Sequence, residues 1–243
     1  MICHEKLLSK DENISHYESL VSTIPVIEQR GALRSKANTT HSKILATPAG
    51  ILLLRSFCPS SLIELLHADS GLCAFARLPE REHALLASLA QRSDSALTIA
   101  YTPTGEIVGQ VTLAPADGSW AGAEHVYEIA IEVSSNWRRL GLARYLLDTA
   151  LTLDNLDELV ILAIGLSWHW DTKGLGLSPF QYRQLIAQLL TAHGFAEYTT
   201  TEENITADPA NILLARIGCQ ARTETVNHFF SCMLRMDDLS GLL

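Results

Sequence analysis

Two arginines, a glycine and an alanine stand close together in SNWRRLGLARYLL, Ser135 to Leu147, where a strand-like run hands over to a helix-like one. Arg138 and Arg139 bring fork-shaped cationic donors that suit phosphate oxygens. Gly141 and Ala143 leave room for a ligand to come close to the main chain. A helix that opens here presents unpaired N–H groups and about half an elementary positive charge. A phosphate set against it gains hydrogen bonds and electrostatic attraction together. The chemistry predicted for Arg138, Arg139, Leu140, Gly141, Leu142, Ala143 and Arg144 is therefore a grip on a diphosphate. The strand before the joint, HVYEIAIEV, offers a second grip. If it splays from its neighbour, the main chain of Ile131, Glu132 and Val133 can pair with amides of an extended ligand, as an added strand would. Rival nucleotide motifs fit worse: a dinucleotide fold wants G-x-G-x-x-G and a phosphate loop wants G-K-[ST], and neither occurs.

Two carboxylates share the strand with that edge. Glu128 and Glu132 are four residues apart, so both point to one face. Downstream, WHWDTKG puts His169 and Asp171 between tryptophans. Read as a strand, it sends His169 and Asp171 to one face and Trp168 and Trp170 to the other. Packing tryptophans with His169 and Asp171 holding a loop is one reading; the lining of a substrate pocket, with Tyr182, is the other. The segment lacks a third ligand for a metal site. No G-x-S-x-G elbow is present, and the cysteines lack a nearby His in sequence, with Cys219 and Cys232 expected in the core.

These residues need elements to hold them. KILATPAGILLLRSF reads as a hairpin around Pro48-Ala49-Gly50. Ser60-Ser61 is positioned to cap a helix running through His67. PEREHALLASLAQR is a helix opened by Pro79, with Leu85, Leu86 and Leu89 at helical spacing. A second hairpin turns at Thr102 to Glu106. After the motif strand, RYLLDTALTLDNL gives a broad apolar helical face that includes Tyr145, and LVILAIGL is a buried strand. SPFQYRQLIAQLLTAHG is a helix with Ser178 as N-cap, Pro179 first and Gly194 after its end. FAEYTTT is a strand. DPANILLARIG repeats the helix grammar, with Asp208 as cap and Gly218 as stop, and HFFSCMLRM closes the domain as a strand. Hairpins followed by alternating strands and helices make an α+β pattern with a mixed sheet. Residues 1–43 read as an N-terminal extension, partly disordered or draped, ahead of one domain over 44–243.

The chain has 243 residues, 47% of them apolar, and a net charge of −9. A core of useful size can form, while the acidic field disfavours nucleic acid and anionic membrane and tolerates a basic protein surface. Five scattered cysteines without C-x-x-C argue against a disulfide framework or zinc and suit a cytoplasmic setting. The N-terminus lacks a signal-peptide pattern, and the longest apolar run is too short to span a bilayer.

With these residues in view, IAIEVSSNWRRLGLARYLL resembles the coenzyme-binding motif of the GNAT superfamily, Arg/Gln-x-x-Gly-x-Gly/Ala between a strand and a helix, with Arg138, Gly141 and Ala143 on its fixed positions. SWHWDTKGLGLSPFQYRQLI and ADPANILLARIG resemble the bacterial acetoin-utilisation acetyltransferases (AcuA-like), over about His41 to Met236. The resemblance implies a GNAT fold, α+β with a central mixed, mostly antiparallel sheet flanked by helices. It implies acetyl-CoA as co-substrate without a metal, held by Ile131, Glu132 and Val133 and by Arg138 to Arg144. It implies acetyl transfer, by direct attack in a ternary complex, to a lysine of a protein such as an acyl-CoA (acetyl-CoA) synthetase. A small-molecule amine acceptor and a silent acyl-CoA sensor are the alternatives. A protonated lysine amine must lose a proton, and neutralising it at pH 7 costs about 4.6 kcal/mol. The superfamily often places a Glu near the start of this strand, which puts Glu128 first as base and Glu132 close behind. The superfamily's tyrosine acid, four residues before Gly-Phe, is absent at Leu190, leaving Tyr182, His193 and Tyr198 as substitutes.

Overall fold

The structure is a computed structural model that describes Leu33, residues 42–74 and residues 78–234. The hairpin of β1 (Ser42–Thr47) and β2 (Gly50–Arg55) forms as expected, in register from Ser42↔Arg55 to Thr47↔Gly50. Pro79 opens α2 (Pro79–Gln91), which follows a shorter α1 (Ser60–Ile63). Leu86 is fully buried, whereas Leu85 is exposed. β4 (Ala96–Tyr101) and β5 (Glu106–Pro115) form the second hairpin, and β6 (Val126–Val133) pairs antiparallel with β5. Then come α3 (Leu142–Ala150), β7 (Val160–Gly165), a one-turn α4 (Thr172–Leu175), α5 (Pro179–Thr191), β8 (Ala196–Tyr198), a one-turn α6 (Glu203–Thr206), β9 (Ile212–Ile217) and α7 (Thr223–Leu234). Including the two-residue β3 (His67–Ala68), the described residues form a nine-stranded sheet ordered β1-β2-β4-β5-β6-β7-β9-β8, with β3 beside β5. Only β3–β5 and β6–β7 are parallel.

The sheet is covered on both faces. α3 and α5 lie on one, over a core of Leu52, Leu54, Val111, Leu146, Leu147 and Leu190 that also takes in Leu33 at 1% exposure. Apart from Leu33, Ser42 and Lys43, the extension expected over 1–43 lies outside the described residues. The other face carries two clusters: Ile63, Leu86 and Ile99 beneath α1 and α2, and Trp120, Leu213 and Phe229 beneath α7. Each such side chain contributes about 1.5–3 kcal/mol by leaving water.

Five local expectations need correction. The helix from Ser60 does not reach His67, because His67 and Asp69 donate their N–H groups to Gly105 and Ile107 and so join the sheet. α3 stops at Ala150, and Tyr145 lies exposed rather than on its apolar face. DPANILLARIG is not a helix. Ile212–Ile217 is β9, with Ile212 and Leu214 in one core and Leu213 and Ala215 in the other; a short run apolar on both faces fits either element by pattern. HFFSCMLRM lies largely in α7, where Thr225, Phe229, Cys232 and Met233 bury one helical stripe. Cys232 is buried, but Cys219 is exposed.

Candidate active site

The parallel pairing of β6 with β7 is brief. It joins Val126, Tyr127 and Glu128 to Val160, Ile161 and Leu162 and stops there. β7 continues along β9 through Gly165↔Ile212, while β6 stays on β5 as far as Val133↔Gly109. From Ile129 to Val133 the β7-facing edge of β6 thus has no strand partner among the described residues. This is the splay that the sequence requires for an extended amide ligand, and it covers Ile131, Glu132 and Val133. The side chains of Ile131 and Val133 pack on the main core, so their main chain is what the slot offers.

The joint after β6 is built for main-chain approach. Ser134 caps a short 3-10 turn at Ser135–Trp137 by accepting from the Asn136 N–H at 3.0 Å. Arg139 and Gly141 both take positive φ, +63° and +73°. Gly141 is the N-cap of α3 and is exposed. A left-handed residue feeding a right-handed helix turns successive N–H groups into one concavity, and a Cβ at that φ would strain it. Leu142 is anchored in the core, while Arg139 and Arg144 are exposed. The amides of the first turn, with Arg139 and Arg144 beside them, make a cationic cradle that fits a diphosphate.

Arg138 behaves differently. Its Nη1 donates to Asp171 Oδ2 at 2.6 Å, and Asp171 Oδ1 accepts from the Gly174 N–H at 2.8 Å as the cap of α4. The Arg138 guanidinium and the Gly174 N–H hold the Asp171 carboxyl below its usual value. The WHWD segment is therefore not a strand. Ser167–His169 is a 3-10 turn, Trp168 (52% exposed) and His169 are at the surface, and Trp170 stacks on Tyr182 with ring centroids 5.1 Å apart. Sequence spacing suggested shared faces for His169 and Asp171; the structure ties Asp171 to Arg138 and leaves His169 aside, edge-on to Trp168. The Asp208–Asn211 turn pins the same loop, since Asp208 accepts from Ser167 Oγ at 2.5 Å and Asn211 Oδ1 from the Ser167 N–H at 2.7 Å.

Glu132 and Glu128 lie on the face of β6 away from α3, opposite Gln110 and Ala114 of β5. Glu132 is 7% exposed, and its Oε1 accepts from the N–H groups of Cys73 and Ala74 at 2.7 and 2.8 Å. Burial pushes its carboxyl up to about 7 against those two donors, with help from Glu82 of α2. The donating loop is itself clamped. Asp69 accepts from the Gly71 N–H, the Ser134 hydroxyl and Asn136 Nδ2, and a Cβ on Gly71 would collide with Ser134 and Ser135. Neither Asp69 nor Glu82 is flagged by sequence: Glu82 reads as a first-turn helix acid, and Asp69 as a loop residue. Glu128 instead lines a cleft of about 320 Å³ with Arg92, Thr112, Pro115, Asp117 and Ala121. Burial and then Asp117 push its carboxyl up.

Of the three candidate acids, Tyr182 reaches this region. Burial raises its phenol, which also senses Arg138, Asp171 and Glu132. His193 bonds the Leu189 carbonyl and Asp148, and Tyr198 packs on Phe229 and Phe230. The exposed Cys73 thiol is held up by burial and by the nearby carboxylates of Glu132, Asp171 and Glu82, which disfavours the thiolate a nucleophile needs. Among the described residues no three His, Cys, Asp or Glu side chains gather for a metal ion, and no helix is long and apolar enough to cross a membrane.

A mixed sheet that opens beside a glycine-headed helix, with a cationic joint, defines an acyl-CoA-dependent N-acyltransferase, and residues 62–158 match the acetyltransferase (GNAT) family. The chain is thus an acetyl-CoA-dependent GNAT acetyltransferase. It is 30% identical over 196 residues to acetoin utilization protein AcuA of Bacillus subtilis (strain 168), a match covering 79% of this chain and 92% of that protein. AcuA of Bacillus licheniformis is 30% identical over 198 residues, with the same coverage. The crystal structure of the acetoin utilization protein from Exiguobacterium sibiricum 255-15 superposes with a TM-score of 0.78 at 29% identity, covering 83% of this chain and 97% of that one. The chain belongs to the AcuA family of acetoin utilization proteins.

Proposed function

We propose that the chain is a protein-lysine N-acetyltransferase whose acceptor is a lysine of a protein such as an acyl-CoA (acetyl-CoA) synthetase, with Glu132 as the general base. The observation that carries this reading is Glu132 itself, a buried carboxyl on the open segment of β6, fixed by two main-chain donors and pushed up to about 7. An ordinary carboxylate near 4.5 is about six units too weak for a lysine ammonium near 10.4. A base near 7 recovers about 2.5 of those units, or roughly 3.4 kcal/mol. Glu128 stands about 13 Å away along the strand, level with the last β6–β7 pair. Its setting suits another role: it lines the cleft with Asp117 and with Arg92, whose charge Asp94 pairs, so the two carboxylates leave the cleft a negative balance that favours an ammonium group.

Acetyl-CoA supplies a thioester carbonyl, which the neutral amine attacks as coenzyme A departs as a thiolate. The open edge of Ile131, Glu132 and Val133 would hold the pantetheine amides, and the α3 amides with Arg138, Arg139 and Arg144 the diphosphate. Tyr182 is kept as a phenol by burial and is the group suited to protonate the leaving thiolate. Transfer is direct, since the Cys73 thiol is kept from its nucleophilic form.

The test is mass spectrometry of an acyl-CoA synthetase incubated with the protein and acetyl-CoA. A lysine gaining an acetyl group, lost with Glu132→Gln, supports the reading. Turnover with small amines and none on proteins would reassign the acceptor. Binding of acetyl-CoA without any turnover would leave a sensor.

A further inference from the structure

One buried acid has no part in the chemistry assigned to Glu132, Glu128 and Tyr182. Asp69 follows β3, is 4% exposed, and gathers donors from two segments far apart in the chain. Its Oδ1 accepts from the Gly71 N–H at 2.8 Å, from the Ser134 hydroxyl, and from Asn136 Nδ2 at 3.1 Å. Gly71 belongs to the loop after β3, while Ser134 and Asn136 belong to the turn after β6. A buried carboxyl is costly unless its hydrogen bonds are met, and here they are met from both sides of one seam. The main chain closes the same seam, since the Ser135 N–H donates to the Gly71 carbonyl at 3.2 Å.

The seam continues to the base. The loop runs back along the end of β6, so that Gly71 meets Ser134 and Ser135, and then Cys73 and Ala74 meet Glu132. The approach at Gly71 is close enough that a Cβ there would collide with the side chains of Ser134 and Ser135. The two N–H groups on Glu132 Oε1, at 2.7 and 2.8 Å, therefore depend on Gly71 staying against the turn. We propose that Asp69 is a positioning residue for the base: by fastening Gly71 to Ser134 and Asn136, it keeps the Cys73 and Ala74 N–H groups on the Glu132 carboxyl. The catalytic part of this statement rests on Glu132 being the base; the fastening does not.

Only the ionised form of Glu132 can take the acceptor's proton, and an N–H aimed at a carboxyl favours that form. The two donors thus offset part of the burial that pushes this carboxyl up. With the seam loosened, the carboxyl rises further, less of it is ionised at neutral pH, and its place is less fixed. The other charged and titratable groups around Glu132 are the Cys73 thiol in the loop, Glu82 on α2, Glu128 on β6, Arg138 and Asp171 across the splay, and Tyr182 on α5. Its cross-strand row runs through Gln110 to Arg55 of β2. A change at Asp69 alters none of these side chains. It also spares the main-chain bonds of the loop, in which the Asp69 N–H donates to Ile107 and the Leu72 N–H to Asp69, and the anchor of Leu72 in the core.

The experiment pairs amide hydrogen exchange in the full chain, without substrate, with the pH dependence of kcat/KM. In the wild type the Cys73 and Ala74 N–H groups exchange slowly. In Asp69→Ala they lose protection, and the acid limb of kcat/KM moves up by about half a pH unit or more. Asp69→Asn keeps an oxygen where Oδ1 stands and restores both. Gly71→Ala wedges the loop away from Ser134 with Asp69 intact and reproduces both changes. Full protection of the two amides in Asp69→Ala overturns the proposal. So does a loss of activity at every pH with the acid limb unmoved, which is what a merely structural residue gives. If neither Asp69→Ala nor Gly71→Ala folds, Asn136→Ala decides from its exposed position: faster exchange of both amides supports the fastening, and unchanged exchange overturns it. An acid limb that survives Glu132→Gln would sink the base reading, while the exchange data would still judge the fastening.

Discussion

The two ends of the β6 face hold the same residue type in opposite circumstances. At one end Glu132 is walled in by α2 and by a loop that gives it two main-chain hydrogen bonds. At the other, Glu128 borders an open cleft rimmed by the exposed residues Asp117 and Ala121. Burial raises both carboxyls, but their neighbours differ. Glu132 has fixed donors and senses the carboxyl of Glu82; Glu128 senses the charge of Asp117. A fixed, buried carboxyl can take a proton with little reorganisation, while a half-buried one beside an open cleft keeps its access to solvent. Strand position alone does not assign the base; the segments that the rest of the fold lays over each residue do.

The largest expected effect breaks the comparison at its stronger end. Glu132→Gln keeps the shape and still accepts the Cys73 and Ala74 N–H groups, but it cannot take a proton. We expect kcat to fall about 10²–10⁴-fold with acetyl-CoA affinity retained. An equal loss in Glu128→Gln, with Glu132→Gln active, would exchange the two roles.

The same substitution should change stability with a definite sign. Glu132 has a folded value of about 7 and an ordinary value of 4.5. Between these, the folded chain holds a proton that the unfolded chain releases, so stability falls as pH rises through this window and stays low above it. Glutamine does not titrate. Glu132→Gln should therefore match the wild type near pH 5 and exceed it at pH 8 by up to roughly 3 kcal/mol, a Tm rise of several degrees. A variant less stable than the wild type at pH 8 would show that the ionised carboxylate is well accommodated.

How far the sequence makes this contrast legible depends on the distance over which each feature is determined. Arg138, Gly141 and Ala143 act within one turn of chain, and their joint reads directly because a positive φ and a helix start are local. Ser178 and Pro179 do the same for α5, where the full capping box forms. Both glutamates are visible as same-face strand acids. The difference between them comes from residues some fifty to sixty positions earlier, Glu82, Cys73, Ala74 and Asp69, which no spacing rule connects. ILLARI and the stretch from His228 to Leu234 mislead for another reason. Short apolar runs carry both periods, and only packing between β7 and β8, or beneath the sheet, selects one. Asp208 and Asn211 resemble helix punctuation and instead fasten the Ser167 loop.

A smaller effect lies across the splay. Arg138→Ala should weaken acetyl-CoA binding about tenfold or more by calorimetry, since a charge-assisted hydrogen bond is worth about 1.5–3 kcal/mol. Asp171→Asn should cost about threefold, because the guanidinium remains but loses its anchor. Tighter binding in Asp171→Asn would make Asp171 a competitor for the arginine rather than its support.

The smallest effect sharpens the weaker end of the comparison. Glu128→Gln should leave kcat nearly unchanged and raise KM for a lysine peptide about threefold, the size expected when one half-exposed charge stops attracting a cation. Salt should reproduce this in the wild type, since screening weakens the attraction, and should do little further in the variant. The pH dependence has a sign as well. The Glu128 carboxyl is held above its ordinary value by burial and Asp117. As pH falls it neutralises earlier than a free glutamate, and wild-type KM for the peptide climbs. In Glu128→Gln that climb disappears while the acid limb set by Glu132 remains. If both limbs vanish together, the cleft and the base are one site, and the division of labour along β6 is wrong.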